Sequence, residues 1–203
     1  MLNLAGRRVL VAGGGRVAAR RVADLLDAEA EIVVVAPMID PKIQPTGVQI
    51  RLRGYQTDDL EGVYLVIVAT DDPQVNDRIA SEAAERRILV NRADDAERGD
   101  VSIPAHRRVG PIALTVSTGA ASGTAGAALA DLMVEAIGEN WPVLLEVIGP
   151  MRAEARQRVT DAAARQRLYK RWVDAEAMSI LQTGGRAALA DYCRELLAKA
   201  ADE

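Results

Sequence analysis

The stretch Leu10-Val11-Ala12-Gly13-Gly14-Gly15-Arg16-Val17-Ala18 decides the fold class of this 203-residue chain. It satisfies the pattern G-x-G-x-x-[G/A] at the point where an apolar strand pattern gives way to a helical one. The first glycine permits a tight turn, the second lets a pyrophosphate approach the backbone, and the small Ala18 lets the helix pack closely on the strand. The helix N-terminus offers N–H groups and a positive dipole end to phosphates. We therefore predict a dinucleotide site with cofactor contacts from Gly13, Gly15, Arg16 and Val17.

Strand and helix patterns alternate along the first half of the chain. The run Ile32-Val33-Val34-Val35-Ala36 is apolar throughout, as in a strand covered on both faces, and the alternating residues 48–52 predict a sheet edge. The order strand, helix, strand, strand, strand, helix, strand predicts an α/β fold with a Rossmann-type doubly wound parallel sheet. The predicted strands are 9–12, 32–36, 48–52, 63–69 and 88–90, and the predicted helices are 16–28 and 73–87.

The chain changes character after residue 111. Residues 112–117 predict one more strand, followed by a loop of small residues and an alanine-rich helix over 125–137. This strand and helix carry more apolar surface than a solvent-facing appendage needs, which predicts a homodimer. Later segments are helical, over 143–164, 167–181 and 185–200, with a break near Thr183-Gly184. The predicted parts are a Rossmann domain (1–111), a dimerisation and substrate-binding segment (112–140) and a small C-terminal helical domain (141–203).

The composition narrows the possible chemistry. A single histidine, His106, argues against a multi-histidine metal site, and a single cysteine, Cys193, excludes an internal disulfide and a cysteine-cluster metal site, so no resident metal is predicted. Proton transfer falls to carboxylates, tyrosine or lysine, and a demanding electronic step needs a cofactor. The net charge of −4 weighs against a nucleic-acid partner. Neither a signal peptide nor a membrane-spanning apolar run is recognisable, so we predict a cytoplasmic protein.

Two further segments are predicted to contact the cofactor. The second predicted strand ends in Ala36-Pro37-Met38, where the acidic residue that usually binds the ribose is missing and no arginine marks a 2′-phosphate site. This pattern favours NAD over NADP, with the ribose held by backbone groups at Pro37 and Met38. The fourth strand ends in Ala69-Thr70-Asp71-Asp72, which predicts contacts from Thr70 and Asp71 at the ligand crevice. The alternative is that Asp71 or Asp72 caps the next helix.

An aspartate follows the fifth predicted strand in Asn91-Arg92-Ala93-Asp94-Asp95. A Rossmann enzyme places a side chain near the nicotinamide at such a position. With histidine scarce, an aspartate is a candidate base that removes a proton while a hydride leaves to NAD. The alternative is a solvated turn, because paired aspartates are common in loops.

These segments together resemble the precorrin-2 dehydrogenases, which include the dehydrogenase and ferrochelatase half of siroheme synthase. The resemblance covers most of residues 1–145 and implies NAD-dependent oxidation of precorrin-2 to sirohydrochlorin, a homodimer and, in many members, insertion of Fe²⁺. Asp94 matches the aspartate implicated in both steps. The motifs that carry the resemblance are 10–18, 35–37, 69–72, 75–76, 90–91, Asp94, 102–104 and 112–119.

The resemblance also implies the substrate-binding residues Asn91, Ser117, Thr118 and Ser122. Thr118 stands where some members carry a phosphorylated serine, and Gly123 replaces a proline, so regulation by phosphoserine is not implied here. Precorrin-2 carries eight carboxylates, which suit the cluster Arg92, Arg98, His106, Arg107 and Arg108, although each arginine alone is typical of a surface.

Several alternatives stay open at this point. Iron insertion is neither favoured nor excluded. Because the given sequence shows no second α/β domain, methyltransferase activity is not expected. An NAD-binding regulatory module without turnover, or an oxidoreductase for an unrelated small substrate, uses the same glycine loop.

Overall fold

The computed structural model describes residues 2–44, 46–119 and 121–202 and divides into two compact units, Met1–Ile103 and Pro104–Glu203. The first unit contains a five-stranded parallel sheet in the order β3-β2-β1-β4-β5. This order confirms the Rossmann-type doubly wound fold predicted from the sequence. Its elements are β1 (Arg8–Ala12), α1 (Arg16–Asp27), β2 (Glu31–Val35), β3 (Val48–Arg51), β4 (Leu65–Val68), α2 (Pro73–Glu85) and β5 (Leu89–Arg92).

The sheet has an apolar core on each face. Alternate residues of a strand point to opposite faces, so Val9 and Val11 of β1 belong to one core and Leu10 to the other. Val22 of α1 packs in the first core and Ile79 of α2 in the second. The three central strands are therefore apolar throughout after the first residues of β1 and β2, Arg8 and Glu31, whereas the predicted edge strand, β3, has only one neighbour and exposes part of its length.

The second unit begins with a hairpin, of which the sequence patterns predicted the second strand but not the first. Strand β6 (Ala105–Val109) pairs antiparallel with the predicted strand, β7 (Ile112–Val116), through a turn in which Gly110 has φ +55°. Residues 105–109 pair with β7, and the first compact unit ends at Ile103. The functional boundary at 111 stays a prediction. Helix α3 (Gly123–Ile137) packs on this hairpin.

Three helices complete the second unit: α4 (Asn140–Arg158), α5 (Ala162–Arg171) and α6 (Ala175–Asp202). The single helix predicted over 143–164 is wrong, because Asp161 caps a new helix by accepting a hydrogen bond from the Ala164 amide at 2.7 Å. The predicted break near Thr183-Gly184 is confirmed one residue later, at Gly185 with φ +73°. Trp172 is buried in the core of these helices. Among the described residues, no helix is both long and apolar enough to cross a membrane.

Candidate active site

The glycine loop lies between β1 and α1, and its three glycines meet different constraints. Gly13 has φ +122°, and a Cβ atom there would overlap the carbonyl oxygen of Ala69. A Cβ on Gly14 would overlap the carbonyl oxygen of Met38. A Cβ on Gly15 would meet no atom within 4 Å, and its φ of −82° suits any residue. Packing within the protein therefore requires glycine at positions 13 and 14, whereas Gly15 leaves open space over the backbone.

This open space lies at the N-terminus of α1. Gly15 is the N-cap residue and no side chain caps the helix, so the positive end of the helix dipole faces the loop without a competing side chain. A pyrophosphate needs close approach to the backbone together with free N–H donors. The residues present therefore fit the diphosphate of a dinucleotide.

A crevice of about 660 Å³ opens beside the loop, a volume in the range of cofactor sites. Seven of the eight predicted cofactor residues line it, whereas Val17 lies on the first turn of α1, 41% exposed, and is not part of the lining. The seven are Gly13, Gly15, Arg16, Pro37, Met38, Thr70 and Asp71. The sequence motifs did not identify Asp40, Tyr55 and Arg78, which also line the crevice. Arg78 stacks over the Tyr55 ring, 5.3 Å from its centroid, a contact that no local motif signals.

The turn after β4 resolves the open choice between Asp71 and Asp72. The Asp72 carboxylate caps α2 by accepting hydrogen bonds from the amides of Gln74 at 2.9 Å and Val75 at 3.4 Å. Asp71 is exposed on the lining of the crevice. The Thr70 hydroxyl donates to Oδ1 of Asn76 at 2.6 Å, so its orientation is set by a buried amide.

Asp94 follows β5 and has both carboxylate oxygens hydrogen-bonded. The Arg92 guanidinium donates through Nε to Oδ1 at 2.8 Å and through Nη2 to Oδ2 at 2.7 Å, and Asn76 Nδ2 donates to Oδ2 at 3.0 Å. These bonds, those of Arg92 foremost, outweigh the opposing effect of burial and hold the pKa of Asp94 well below its usual range. Asp94 is therefore an ionised carboxylate, and its side chain is one-third exposed.

Arg92 is the buried centre of this polar cluster. Its side chain is 2% exposed and also donates through Nη1 to Oδ1 of Asp77 at 2.7 Å. Arg98 pairs with the same Asp77 oxygen at 2.9 Å. Two arginines thus balance two aspartates, which satisfies the requirement that a buried charge be paired.

The predicted substrate-binding residues lie in both units. Asn91 is buried and donates through Nδ2 to the carbonyl oxygen of Val101 at 2.6 Å, while its Oδ1 has no hydrogen-bond partner among the described residues. The Thr118 hydroxyl donates to the Ser122 carbonyl at 3.1 Å, and the Ser122 hydroxyl oxygen accepts from the Ala125 amide as the N-cap of α3. Ser117 Oγ accepts from the Gly119 amide at 3.5 Å. Their roles toward a substrate stay predictions.

Two family models match the chain. One, described as "Putative NAD(P)-binding", matches residues 1–105, and another, described as the sirohaem synthase dimerisation region, matches residues 140–197. The chain belongs to the family of the N-terminal region of siroheme synthase. The resemblance drawn from the sequence motifs is thereby confirmed. The model of the dimerisation region matches residues 140–197, whereas the sequence analysis predicted a dimerisation segment over 112–140. The assignment to 112–140 stays a prediction.

Individual members of this siroheme synthase family are similar over part or all of the chain. Siroheme synthase from Pseudomonas fluorescens is 42% identical over 121 residues, 58% of this chain and 26% of the relative. Siroheme synthase 1 from Serratia proteamaculans is 31% identical over 189 residues, 91% of this chain and 40% of the relative. The chain thus spans only part of the length of these curated relatives. A solved structure titled SirC, precorrin-2 dehydrogenase, has a TM-score of 0.80 and 25% identity, covering 96% of this chain and 98% of that chain.

Three arginines of the cluster that the sequence analysis assigned to a polyanionic substrate form ion pairs with aspartates of the protein. Arg92 and Arg98 pair with aspartates of their own unit, and Arg107 pairs with Asp131 through Nε at 2.6 Å. In this member of the siroheme synthase family, the arginines therefore neutralise neighbouring carboxylates. Arg16 lines the cofactor crevice and is exposed.

Proposed function

We propose that the chain is an NAD-dependent precorrin-2 dehydrogenase that produces sirohydrochlorin. The observation that carries this proposal is that one edge of the sheet presents both a glycine-lined crevice, after β1 and β4, and an ionised carboxylate, Asp94, after β5. In doubly wound folds, ligands bind at this carboxyl edge of the strands. The family membership and the likeness to the precorrin-2 dehydrogenase structure support the same reaction.

The glycine loop and the crevice walls would hold the cofactor. The backbone at Gly13, Gly15 and the first turn of α1, including Val17, receives the diphosphate, and Arg16 adds a positive charge. Pro37 and Met38 would flank the ribose, and Thr70 and Asp71, which line the same crevice, would provide further contacts. NAD, when bound, supplies the acceptor for a hydride.

Asp94 is the proposed catalytic residue. Dehydrogenation removes a hydride and a proton from precorrin-2, and hydride loss leaves a macrocycle with a positive charge. A fixed carboxylate stabilises such a charge most in a site shielded from water. Protons of a cationic macrocycle are acidic, so a carboxylate with a lowered pKa can accept one and pass it to water. Asn91, Ser117, Thr118 and Ser122 are the proposed contacts to the rest of the substrate.

We extend the proposal to a cytoplasmic homodimer with the predicted apolar segment 112–140 at its interface. The exposed apolar residues Leu129, Leu132 and Met133 of α3 support an interface in this segment. The family description of a dimerisation region over residues 140–197 supports a dimer but not this segment as its interface. Fe²⁺ insertion is the second candidate activity, and the negative charge of Asp94 favours it because a divalent cation must approach the macrocycle as protons leave.

The decisive experiment follows NADH absorbance after mixing the protein with precorrin-2 and NAD. We expect NADH and sirohydrochlorin in equal amounts. Asp94→Ala should lower turnover by about 10²- to 10⁴-fold while the dissociation constant of NAD changes little, because Asp94 does not line the crevice. Adding Fe²⁺ after NADH formation is complete tests for siroheme.

The matched control is Asp95→Ala, which alters the neighbouring acid. The Asp95 side chain accepts a hydrogen bond from the Glu97 amide at 3.2 Å. Tight NAD binding without any NADH would instead support a regulatory NAD-binding module. Full turnover by Asp94→Ala would remove Asp94 from the mechanism.

A further inference from the structure

Asn76 is a buried amide on the first turn of α2; it belongs to the motif 75–76, to which the sequence analysis gave no role in the reaction. It is 1% exposed. Its Nδ2 donates to the backbone carbonyl of Thr70 at 3.1 Å and to Oδ2 of Asp94 at 3.0 Å, and its Oδ1 accepts from the Thr70 hydroxyl at 2.6 Å. One side chain therefore joins the crevice wall at Thr70 to the carboxylate of Asp94, which lies 18 residues after Asn76 in sequence.

The chemistry of the partners determines which way the amide faces. Asp94 is ionised and only accepts hydrogen bonds, so it must meet the NH₂ end of Asn76. The second N–H meets a carbonyl oxygen, which is also only an acceptor, and the amide oxygen meets a hydroxyl. With both donors used, rotating the amide by 180° would set its oxygen against two acceptors. The side chain has one low-energy orientation.

We propose that Asn76 is a positioning residue that holds the Asp94 carboxylate at a set place relative to the cofactor wall at Thr70. This inference rests on the proposed function, because it assigns Asn76 to the reaction through Asp94. The backbone alone does not supply the constraint, since Asp94 lies beyond the end of β5 and its side chain is one-third exposed. Its two remaining side-chain hydrogen bonds come from Arg92, two residues before it in sequence.

Arg92 and Asn76 act on the same carboxylate in different ways. Arg92 supplies the positive charge and also forms an ion pair with Asp77 on α2. Asp77 in turn pairs with Arg98, which lies on the turn Ala96–Arg98. Asn76 carries no charge and reaches Asp94 from the helix that borders the crevice. Loss of Asn76 therefore frees the direction of the carboxylate while its ion pair with Arg92 persists.

The test compares Asn76→Ala, Asp94→Ala and the double variant in the NADH assay. A small misplacement of a reacting group costs about 10- to 100-fold, so we expect kcat of Asn76→Ala, measured at saturating NAD, to fall by that amount. The double variant should be no slower than Asp94→Ala, because effects passed through one group are not additive. Gln74→Ala, an exposed change on the same helical turn, is the control and should keep the native rate. A native rate in Asn76→Ala, or a double variant slowed by the product of both factors, would overturn the inference.

A second measurement needs no turnover. The Asp94 carboxyl carbon, assigned in NMR spectra through Asp94→Asn, is titrated in the native protein and in Asn76→Leu, which nearly keeps the shape of the side chain and removes its donors without adding a charge. The pKa of Asp94 should rise in Asn76→Leu, and an unchanged pKa would contradict the inference. If the native protein produced no NADH, the proposed function would fail while this titration still decided whether Asn76 governs Asp94.

Discussion

Substitutions at two adjacent glycines of the phosphate loop should separate effects on stability from effects on NAD binding. Gly14→Ala places a methyl group onto the Met38 carbonyl oxygen, 2.9 Å from Ala36 Cβ and 3.0 Å from Ile39 Cδ1. Gly15→Ala places the same methyl group in open space at the N-terminus of α1. The two variants add the same methyl group one position apart, so they differ only in what that group meets. We therefore expect Gly14→Ala to lower the stability and Gly15→Ala to weaken NAD binding.

The cost of Gly14→Ala follows from the contacts. The overlap is with backbone, so the segment 37–39 must move, and overpacking of this kind costs about 1–3 kcal/mol. The movement also strains the hydrogen bond from the Asp40 amide to the Gly14 carbonyl at 2.7 Å, worth about 1 kcal/mol. The free energy of unfolding should fall by about 2–4 kcal/mol.

Gly15→Ala should leave the stability within about 1 kcal/mol of the native value, because reduced unfolded-state entropy and the poorer N-cap preference of alanine oppose each other. Its dissociation constant for NAD should rise by about tenfold or more, since the methyl group occupies the approach of the diphosphate. Denaturant unfolding followed by circular dichroism and calorimetric titration with NAD measure the two quantities. Native affinity in Gly15→Ala, or native stability in Gly14→Ala, would refute the reasoning.

Two further predictions concern stability. Burial alone would raise the pKa of Asp59, but hydrogen bonds from Arg53, the Gln56 amide and Arg51 outweigh it and lower the pKa to about 2 from 3.8. Asp59→Asn should therefore cost about 2 kcal/mol at pH 7, and the difference from the native protein should shrink as the pH falls below about 4 and be lost below about 2. A constant difference over that range would contradict the ion pair as its source. Trp172→Ala should lower the free energy of unfolding by about 3–5 kcal/mol in denaturant unfolding, because Trp172 is 1% exposed. The control Trp141→Ala should lower it by under about 1 kcal/mol, because Trp141 is 40% exposed. Equal effects would contradict the burial argument.

The fold of the first unit was predictable because its signals are local. Apolar runs such as 32–36 and the glycine loop 13–15 specify strands covered on both faces and a turn at a helix N-terminus within a few residues. The hairpin strand β6 escaped prediction because Ala105-His106-Arg107-Arg108-Val109 carries weak apolar alternation. Its inward-facing Arg107 is accommodated by Asp131, 24 residues away on α3.

The sequence by itself determined the sheet, the phosphate loop and the candidate carboxylate Asp94, because each follows from the order of residues within one strand–turn–helix unit. Only the tertiary structure decided that Asp72 is the helix cap, that Arg92 is an ion-pair partner of Asp94, and that Asn76 joins Asp94 to Thr70. The hydrogen bond between Asn76 and Asp94 joins residues 18 apart, so it depends on where α2 packs against the ends of β4 and β5. The Asp72 cap and the Arg92–Asp94 pair join near neighbours, but the sequence offered other roles for the same residues.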